Sequence, residues 1–376
     1  MNNEISAVVA KVHNQFIQKW KDDDKKVIGY PCTFVPEEII YAAGMLPVRL
    51  RGVEAVSTSI ADSYYGPVIC SYPKCILQLA GEGKYTFLDG AIICNGCDSM
   101  RRLDECWRKA GEDYKGIVPA YFHYFGVPHK VTQYSLKWFV DEIKLFVASL
   151  EEHFDVKISE DDLRMAIRVY NQGRILLGKL DKLRIVDNVP ISGTDATAII
   201  IASTTIPRDE FNSLLQDILA SLEKKKKGIS GKRLLLAGSV IDDVSLIKVI
   251  EDEGAVVVAD TLCFGSRSYV DLVEEDGDPF MALAKRYLTH KFCPRMFGYY
   301  KDRYGFLKDT AMRAKVDGVI LQNIRFCDLH GSENGIFERD LEASGIPCMR
   351  IEREYGPLAE EGRIRMRIDA FLERLA

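Results

Sequence analysis

Residues 88–107 read LDGAIICNGCDSMRRLDECW, and this stretch decides the fold. Ala91 to Cys94 is a short apolar run of strand length, and a helix begins at Cys97 with apolar residues at helical spacing behind it. Cys97 is therefore expected in a strand-to-helix turn. In open α/β sheets ligands bind beyond the carboxyl ends of the strands, and a helix N-terminus favours thiolate and other anions. The stretch predicts a parallel sheet with chemistry at its edge.

The composition is that of an ordinary folded protein. The chain has 376 residues, of which 47% are hydrophobic and 28% charged, enough for two domains with their own cores. Its formal net charge of -5 argues against nucleic acid or an anionic membrane as a partner. No run reaches the ~18 apolar residues of a membrane span, and the N-terminal stretch lacks the pattern of a signal peptide. We expect a cytoplasmic protein.

Two parts of the chain alternate strands and helices. Strands are predicted at 26–30, 46–50, 91–94 and 116–121, and again at 233–237, 255–259, 319–321 and 346–351. The runs of Val, Ile and Leu lack alternation, which is typical of strands covered on both faces. The pattern between them is helical. The sequence thus predicts an α/β protein with two doubly wound, Rossmann- or flavodoxin-like parallel-sheet domains, at 1–130 and 229–376, joined by a helical segment at 131–228.

The cysteines divide into two groups. Structural disulfides are rare in a reducing compartment, so some of the ten cysteines are expected to bind metal or act in catalysis. Six are expected to converge on one crevice, because four follow predicted strands and two lie in a proline-broken loop: Cys32, Cys70, Cys75, Cys97, Cys263 and Cys327. The loop pair is Cys70 and Cys75. The other four are interpreted as small core residues: Cys94, Cys106, Cys293 and Cys348.

Sulfur-only ligation suits zinc or an iron–sulfur cluster. Ligands spread over two predicted domains favour a cluster in an interdomain cleft over a compact zinc knuckle, although the spacing itself leaves both open. The sequence has no GxxxxGK[ST] phosphate loop, no GxGxxG after a strand and no GxSxG elbow. The chain is therefore not expected to hydrolyse ATP itself. Among the histidines, His330 is the one expected to be catalytic, because it closely follows Cys327.

Four motifs resemble the 2-hydroxyacyl-CoA dehydratase and benzoyl-CoA reductase superfamily, and the resemblance covers essentially the whole chain. They are PEEIIYAAGMLPVRL, YYGPVICSYPKC, the GCDS turn and the FCD turn. The resemblance implies an iron–sulfur cluster bound by three cysteines, which fall on Cys70, Cys97 and Cys327.

Three further cysteines resemble the six-cysteine set of the superfamily's double-cubane reductases, in which two four-iron cubanes share a bridging sulfide. These are Cys32, Cys75 and Cys263. The counterpart of Cys75 is expected further along the chain, so Cys94 or Cys106 is an alternative sixth ligand. The resemblance favours a double-cubane 8Fe-9S cofactor, with a single 4Fe-4S cluster as the alternative.

The resemblance also implies a function. The favoured one is the catalytic, cluster-bearing component of an ATP-dependent reductase that acts on a small molecule or an acyl-CoA. A separate ATP-hydrolysing iron–sulfur activator supplies its electrons, and the component works as a homodimer or heterodimer. One alternative is a radical 2-hydroxyacyl-CoA dehydratase subunit, a lyase, with a single four-iron cluster. Another is a structural subunit without catalysis of its own.

Overall fold

The first sheet has four parallel strands. The structure is a computed structural model that describes residues 3–225, 227–290, 292–356 and 360–375. The strands are β1 (Val27–Tyr30), β2 (Leu46–Arg49), β3 (Gly90–Cys94) and β4 (Tyr121–Phe125), and their spatial order is β2-β1-β3-β4. The first three strands are buried throughout, as expected for a sheet covered on both faces.

A second four-stranded parallel sheet repeats this order. It contains β5 (Lys232–Gly238), β6 (Ala255–Thr261), β7 (Gly318–Ile324) and β8 (Cys348–Arg353), arranged β6-β5-β7-β8. In each sheet the strand order reverses between the two central strands, β1 and β3 in one and β5 and β7 in the other. Such switch points open a crevice at the carboxyl edge. The predicted α/β class with two doubly wound parallel sheets is confirmed.

Helices cover both sheets and fill the chain between them. The bounds are α1 Asn3–Ala10, α2 Gln15–Asp22, α3 Glu37–Ala42, α4 Ser71–Gly81, α5 Asp98–Asp113, α6 Gln133–Phe154, α7 Glu160–Arg184, α8 Gly193–Ala202, α9 Arg208–Glu223, α10 Ser245–Asp252, α11 Pro279–Leu288, α12 Tyr300–Arg313, α13 Asp328–Glu342 and α14 Glu361–Arg374, with 3-10 turns at Ala61–Ser63 and Ser266–Ser268. Within the described residues, no helix combines the length and the apolar character needed to cross a membrane.

Two local predictions are wrong. The strand predicted at 116–121 begins only at Tyr121, because Pro119 has no N–H for a ladder and Tyr121 is the first residue to pair with β3. The proline-broken loop predicted around Cys70 and Cys75 is mostly helix α4. Pro73 lies in the first turn of α4, where backbone N–H groups have no helical partner and proline is tolerated.

A buried ion pair ties the helical middle to both sheet regions. Arg174 on α7 donates to Oε1 of Glu38 on α3 at 2.5 Å, and Tyr287 on α11 donates to the other oxygen at 2.7 Å. All three side chains are buried. A buried pair of this kind is stabilising only while both charges and their hydrogen bonds are present.

A second buried polar group joins the two sheet regions beside Cys75. The hydroxyl of Tyr355 donates to Oδ2 of Asp242 at 2.6 Å and accepts the N–H of Gly52 at 2.8 Å. Asp242 is fully buried, and its Oδ1 has no partner among the described residues. Burial, reinforced by the charge of Asp243, raises the pKa of Asp242 from 3.8 to about 6.

Replacing Asp242 by asparagine should stabilise the protein at pH 7.5. The unfolded chain ionises this carboxyl near its ordinary pKa, whereas the fold resists ionisation up to about pH 6. The native state therefore loses about 2 kcal/mol of stability as pH rises from 4 to 7, and Asp242→Asn removes that loss. Urea unfolding of both proteins across this range measures the effect. Exposed Asp217 on α9 provides the control Asp217→Asn, and a less stable Asp242→Asn at pH 7.5 would contradict the assignment.

Candidate metal centre

Six cysteines line one cavity between the carboxyl edges of the two sheets. The cavity measures about 100 Å³, and its walls are largely apolar, with Tyr72, Met100, Ile324 and Leu329 among the lining residues. The six thiols are those of Cys32, Cys70, Cys97, Cys263, Cys293 and Cys327. The cavity thus takes its thiols from loops and helix ends on both sides of the cleft.

The first sheet contributes three of the thiols through turns at its switch point. Cys32 follows β1 by two residues, and Cys97 is the N-cap of α5 after β3. Cys70 is the N-cap of α4. Gly96 suits this turn, because a Cβ at this position would lie only 3.2 Å from Sγ of Cys32. The turn is therefore built for close approach of the thiols.

The second sheet and the chain after it contribute the other three. Cys263 follows β6 by two residues, Cys327 is the N-cap of α13 after β7, and Cys293 lies between α11 and α12. At the end of β5, Gly238 has a φ of 124°, and a Cβ there would lie 1.8 Å from the carbonyl of Gln322. The backbones of Gly238 and Gln322 therefore lie in close contact. The next residue, Ser239, accepts the N–H of Ile324 at the end of β7 and lines the cavity.

Backbone N–H groups point at five of the six thiols. The N–H groups of Phe34, Tyr72, Met100, Arg295 and His330 lower the pKa values of the thiols two or three residues before them, which are Cys32, Cys70, Cys97, Cys293 and Cys327. Hydrogen bonds to the charged form favour a thiolate. The local backbone is thus arranged to hold sulfur anions.

Burial and crowding act in the opposite direction on the thiols of Cys70, Cys97 and Cys327. Burial raises the pKa of Cys70 well above its usual value, and the neighbouring Cys327 and Cys97 raise it further. Burial likewise raises the pKa of Cys97 to about 12 and that of Cys327 to about 11. Buried thiols whose ionisation is opposed in this way become thiolates readily when a metal or another positive charge compensates them.

Three buried arginines supply positive charge at the same cavity. Arg49, Arg267 and Arg295 line it and are at most 4% exposed. Among the described residues none of the three forms an ion pair with a carboxylate. Buried charges are normally paired, so the cavity fits an anionic group. Sequence reasoning did not find these residues, since an isolated arginine carries no signal of its burial.

The predicted ligand Cys75 is not among the residues that line the cavity. It is buried in α4 on the side of Gly52 and Tyr355, where a Cβ on Gly52 would lie 2.4 Å from the Cβ of Cys75. The alternatives Cys94 and Cys106 do not line the cavity either, although Cys94 hydrogen-bonds to the Cys32 thiol. Cys348 is the first residue of β8, within a strand as predicted.

Cys293 takes the place in the cavity that sequence reasoning gave to Cys75. It was interpreted as a core residue because no strand or helix pattern surrounds it. The sequence signal that could have identified Cys293 is the proline at position 294, which indicates a loop. Functional residues often lie in loops that a rigid fold positions.

His330 also lines the cavity, three residues after Cys327. Its Nδ1 has no hydrogen-bond partner among the described residues. Burial, together with Arg267 and Arg303, lowers its pKa well below the usual value. His330 is therefore a neutral imidazole at neutral pH, and its catalytic role stays a prediction.

The potential metal donors of the cavity are thiols, and they lie on several of its sides. Within the described residues, no group of three or more His, Cys, Asp or Glu side chains surrounds a single point as ligands of one metal ion do. Sulfur donors with no carboxylate among them suit an iron–sulfur cluster, whose irons lie at separate corners. The residues present fit such a group.

Fold and cavity together define an α/β protein with a thiol-lined cleft between two parallel sheets. A sequence model of the family described as 2-hydroxyglutaryl-CoA dehydratase, D-component, matches residues 32–375, and the chain belongs to this family. The superfamily resemblance seen in the sequence is confirmed.

Three relatives show the range of the family. The chain is 25% identical to the (R)-phenyllactyl-CoA dehydratase beta subunit of Clostridium sporogenes, over 99% of this chain and 98% of the relative. It is 29% identical to a benzoyl-CoA reductase subunit of Thauera aromatica, over 83% and 81%. It is 24% identical to the (R)-2-hydroxyglutaryl-CoA dehydratase subunit beta of Acidaminococcus fermentans, over 96% and 95%. The relatives are thus subunits of enzymes of two reaction types.

In the metal-free protein, Cys32 should be the cavity thiol that alkylates first. A hydrogen bond from Cys94, helped by nearby arginines, lowers the pKa of Cys32 to about 6, whereas burial raises that of Cys97 to about 12. At pH 7.5 the Cys32 thiolate therefore predominates, and its reaction should slow as pH falls through 6. Limited iodoacetamide treatment and peptide mass spectrometry measure the order. Cys94→Ala should slow Cys32, and earlier labelling of Cys97 would refute the assignment.

Proposed function

We propose that this chain is the cluster-bearing subunit of an ATP-dependent two-component reductase that acts on a small molecule or an acyl-CoA. The observation that carries the proposal is the six-cysteine cavity between the two sheets. The proposed ligands are Cys32, Cys70, Cys97, Cys263, Cys293 and Cys327, so Cys293 replaces Cys75 in the ligand set. Six thiols exceed the three that the resemblance assigns to a single four-iron cluster, and this favours the double-cubane 8Fe-9S cofactor.

The residues around the thiols suit one-electron chemistry. An iron–sulfur cluster bound there supplies single electrons, at potentials that reach down to roughly -700 mV. Tyr72, Met100 and Ile324 give the cavity apolar walls that disfavour water, and a dry site would protect such electrons from discharge to protons. His330 is proposed to hold a proton at the cavity wall for the substrate, since its Nδ1 is free of other partners among the described residues.

The electrons are proposed to come from a separate ATP-hydrolysing iron–sulfur activator. The chain has no GxxxxGK[ST] phosphate loop, which supports a separate protein as the one that uses the ATP. The relatives are named as subunits, which supports a partner chain, whether a second copy or a different subunit.

A 2-hydroxyacyl-CoA dehydratase subunit is the second candidate function. One observation favours it: the three cysteines that the resemblance assigns to a single four-iron cluster line the same cavity, and Cys327 and Cys97 both raise the pKa of Cys70. Two of the three relatives described above are dehydratase subunits. In this function Cys32, Cys263 and Cys293 would be dispensable for binding iron.

Anaerobically purified protein should hold about eight irons per chain, with matching sulfide. Cys293→Ser should lower the iron content, because it removes a cavity thiol, whereas the matched Cys75→Ser should leave iron per folded chain unchanged. Iron and sulfide quantitation with circular dichroism measures both effects. Saturation near four irons, with Cys32 and Cys263 replaceable by alanine at no loss, would support the dehydratase. Zinc without iron would eliminate both functions.

Reduction by this protein should require an added activator and ATP. The isolated chain is expected to hydrolyse no ATP, because it lacks a phosphate loop. Phosphate release and reduction of the protein, followed by its absorbance under anaerobic conditions, are measured with and without the activator. Stoichiometric ATP hydrolysis by the isolated chain would contradict the two-component proposal.

A further inference from the structure

Each of the three cavity arginines holds the backbone beside a cysteine. Arg49 donates to the carbonyl of Cys263 at 2.6 Å. Arg295 donates to the carbonyl of Gly96, the residue before Cys97, at 2.7 Å. The three side chains come from different parts of the chain: the end of β2, the 3-10 turn at Ser266–Ser268 and the segment before α12.

Arg267 is the least engaged of the three. It donates to the carbonyl of Phe292, the residue before Cys293, at 2.9 Å, and its contact with the Gly238 carbonyl is 3.5 Å long. Its Nε is buried and has no hydrogen-bond partner in the described part of the chain. The side chain is 3% exposed and lines the cavity. The hydrogen-bond partners of this guanidinium are backbone carbonyls, so its positive charge at the wall of a thiol-lined cavity suits an anionic group there.

Some buried arginines outside the cavity are paired with a carboxylate, whereas others, such as Arg51, are held by backbone carbonyls alone. Arg174 is paired with Glu38, and Arg184 with Asp260 at 2.9 Å. Backbone carbonyls, the partners of the cavity arginines, satisfy hydrogen bonds but do not neutralise the charge. The three positive charges at the cavity are thus balanced by no carboxylate ion pair of the described residues.

We propose that Arg49, Arg267 and Arg295 form an arginine frame, which fixes the cysteine turns and balances the negative charge of the thiolate-held group in the cavity. The proposal rests on the proposed function, because it assigns these charges to the cluster. The three arginines are positioning residues. They hold the backbone of the cysteine turns by hydrogen bonds, and their charges act electrostatically on the bound group. A positive charge nearby stabilises the more anionic, reduced state, so the frame raises the reduction potential of the group.

Arg267→Met tests the charge with the smallest loss of backbone contacts. We expect its midpoint potential to become more negative, with at least about a tenfold shift in the one-electron equilibrium, or roughly 59 mV. Arg267→Lys keeps the charge and should stay close to the wild type. The readout is an anaerobic redox titration of the iron-loaded protein followed by absorbance or electron paramagnetic resonance.

Arg51→Met is the matched control. Arg51 is 2% exposed and also donates to backbone carbonyls, those of Val8, Val9, Lys11 and Asp242, but it does not line the cavity. Its loss should lower stability and leave the potential unchanged. Arg49→Met is the second cavity variant and is used if Arg267→Met does not fold.

The outcomes separate the frame from the function. Full iron content with wild-type potentials in Arg267→Met and Arg49→Met would overturn the arginine frame and leave the proposed function in place. An equal shift in Arg51→Met would also overturn it, because the effect would then be one of general destabilisation. Wild-type protein that takes up no iron would overturn the proposed function, and the frame with it.

Discussion

The apposition of two sheet edges is the constraint on which the site depends. Each sheet alone opens a crevice at its switch point, between β1 and β3 or between β5 and β7. A single crevice of this kind is open to water on one side. Because the second sheet repeats the strand order of the first and faces it edge to edge, the two crevices close into one cavity. Thiols from both parts of the chain can then surround one group.

Burial gives the cavity its chemical character. It raises the pKa values of Cys70 and Cys97 and lowers that of His330, so the neutral forms of these side chains are favoured. The three arginines place positive charge in the same cavity wall. The thiols of this cavity ionise when they bind metal ions. The arginines then balance the negative charge of the thiolates. The same burial keeps water away from any reducing electron.

Members of this family catalyse two types of reaction. The chain is related to dehydratase subunits and to a benzoyl-CoA reductase subunit at similar identity, and all match over most of their lengths. One fold therefore supports two reaction types, and the difference between them lies in the site. In this chain we propose that the cavity thiols other than those of Cys70, Cys97 and Cys327 make the difference.

The amino-acid sequence by itself determined both parallel sheets and the edge at which four of the cavity thiols lie. Apolar runs without alternation predict buried strands, and a cysteine just after such a run must lie at the carboxyl edge, as Cys32, Cys97, Cys263 and Cys327 do. Local spacing is sufficient for this because the strand and the turn after it are contiguous in the chain. It was insufficient at Cys75, where the position of Pro73 within the first helical turn decided between loop and helix.

Only the tertiary structure decided which other groups reach the cavity. Cys293 lies in an irregular segment, and its place depends on Arg295 reaching across to the carbonyls of Asn95 and Gly96 in the first sheet region. The burial of Arg49 and Arg267 depends in the same way on elements far apart in the chain. Such contacts leave no periodic pattern in the sequence, because they depend on how the two sheet regions pack against each other.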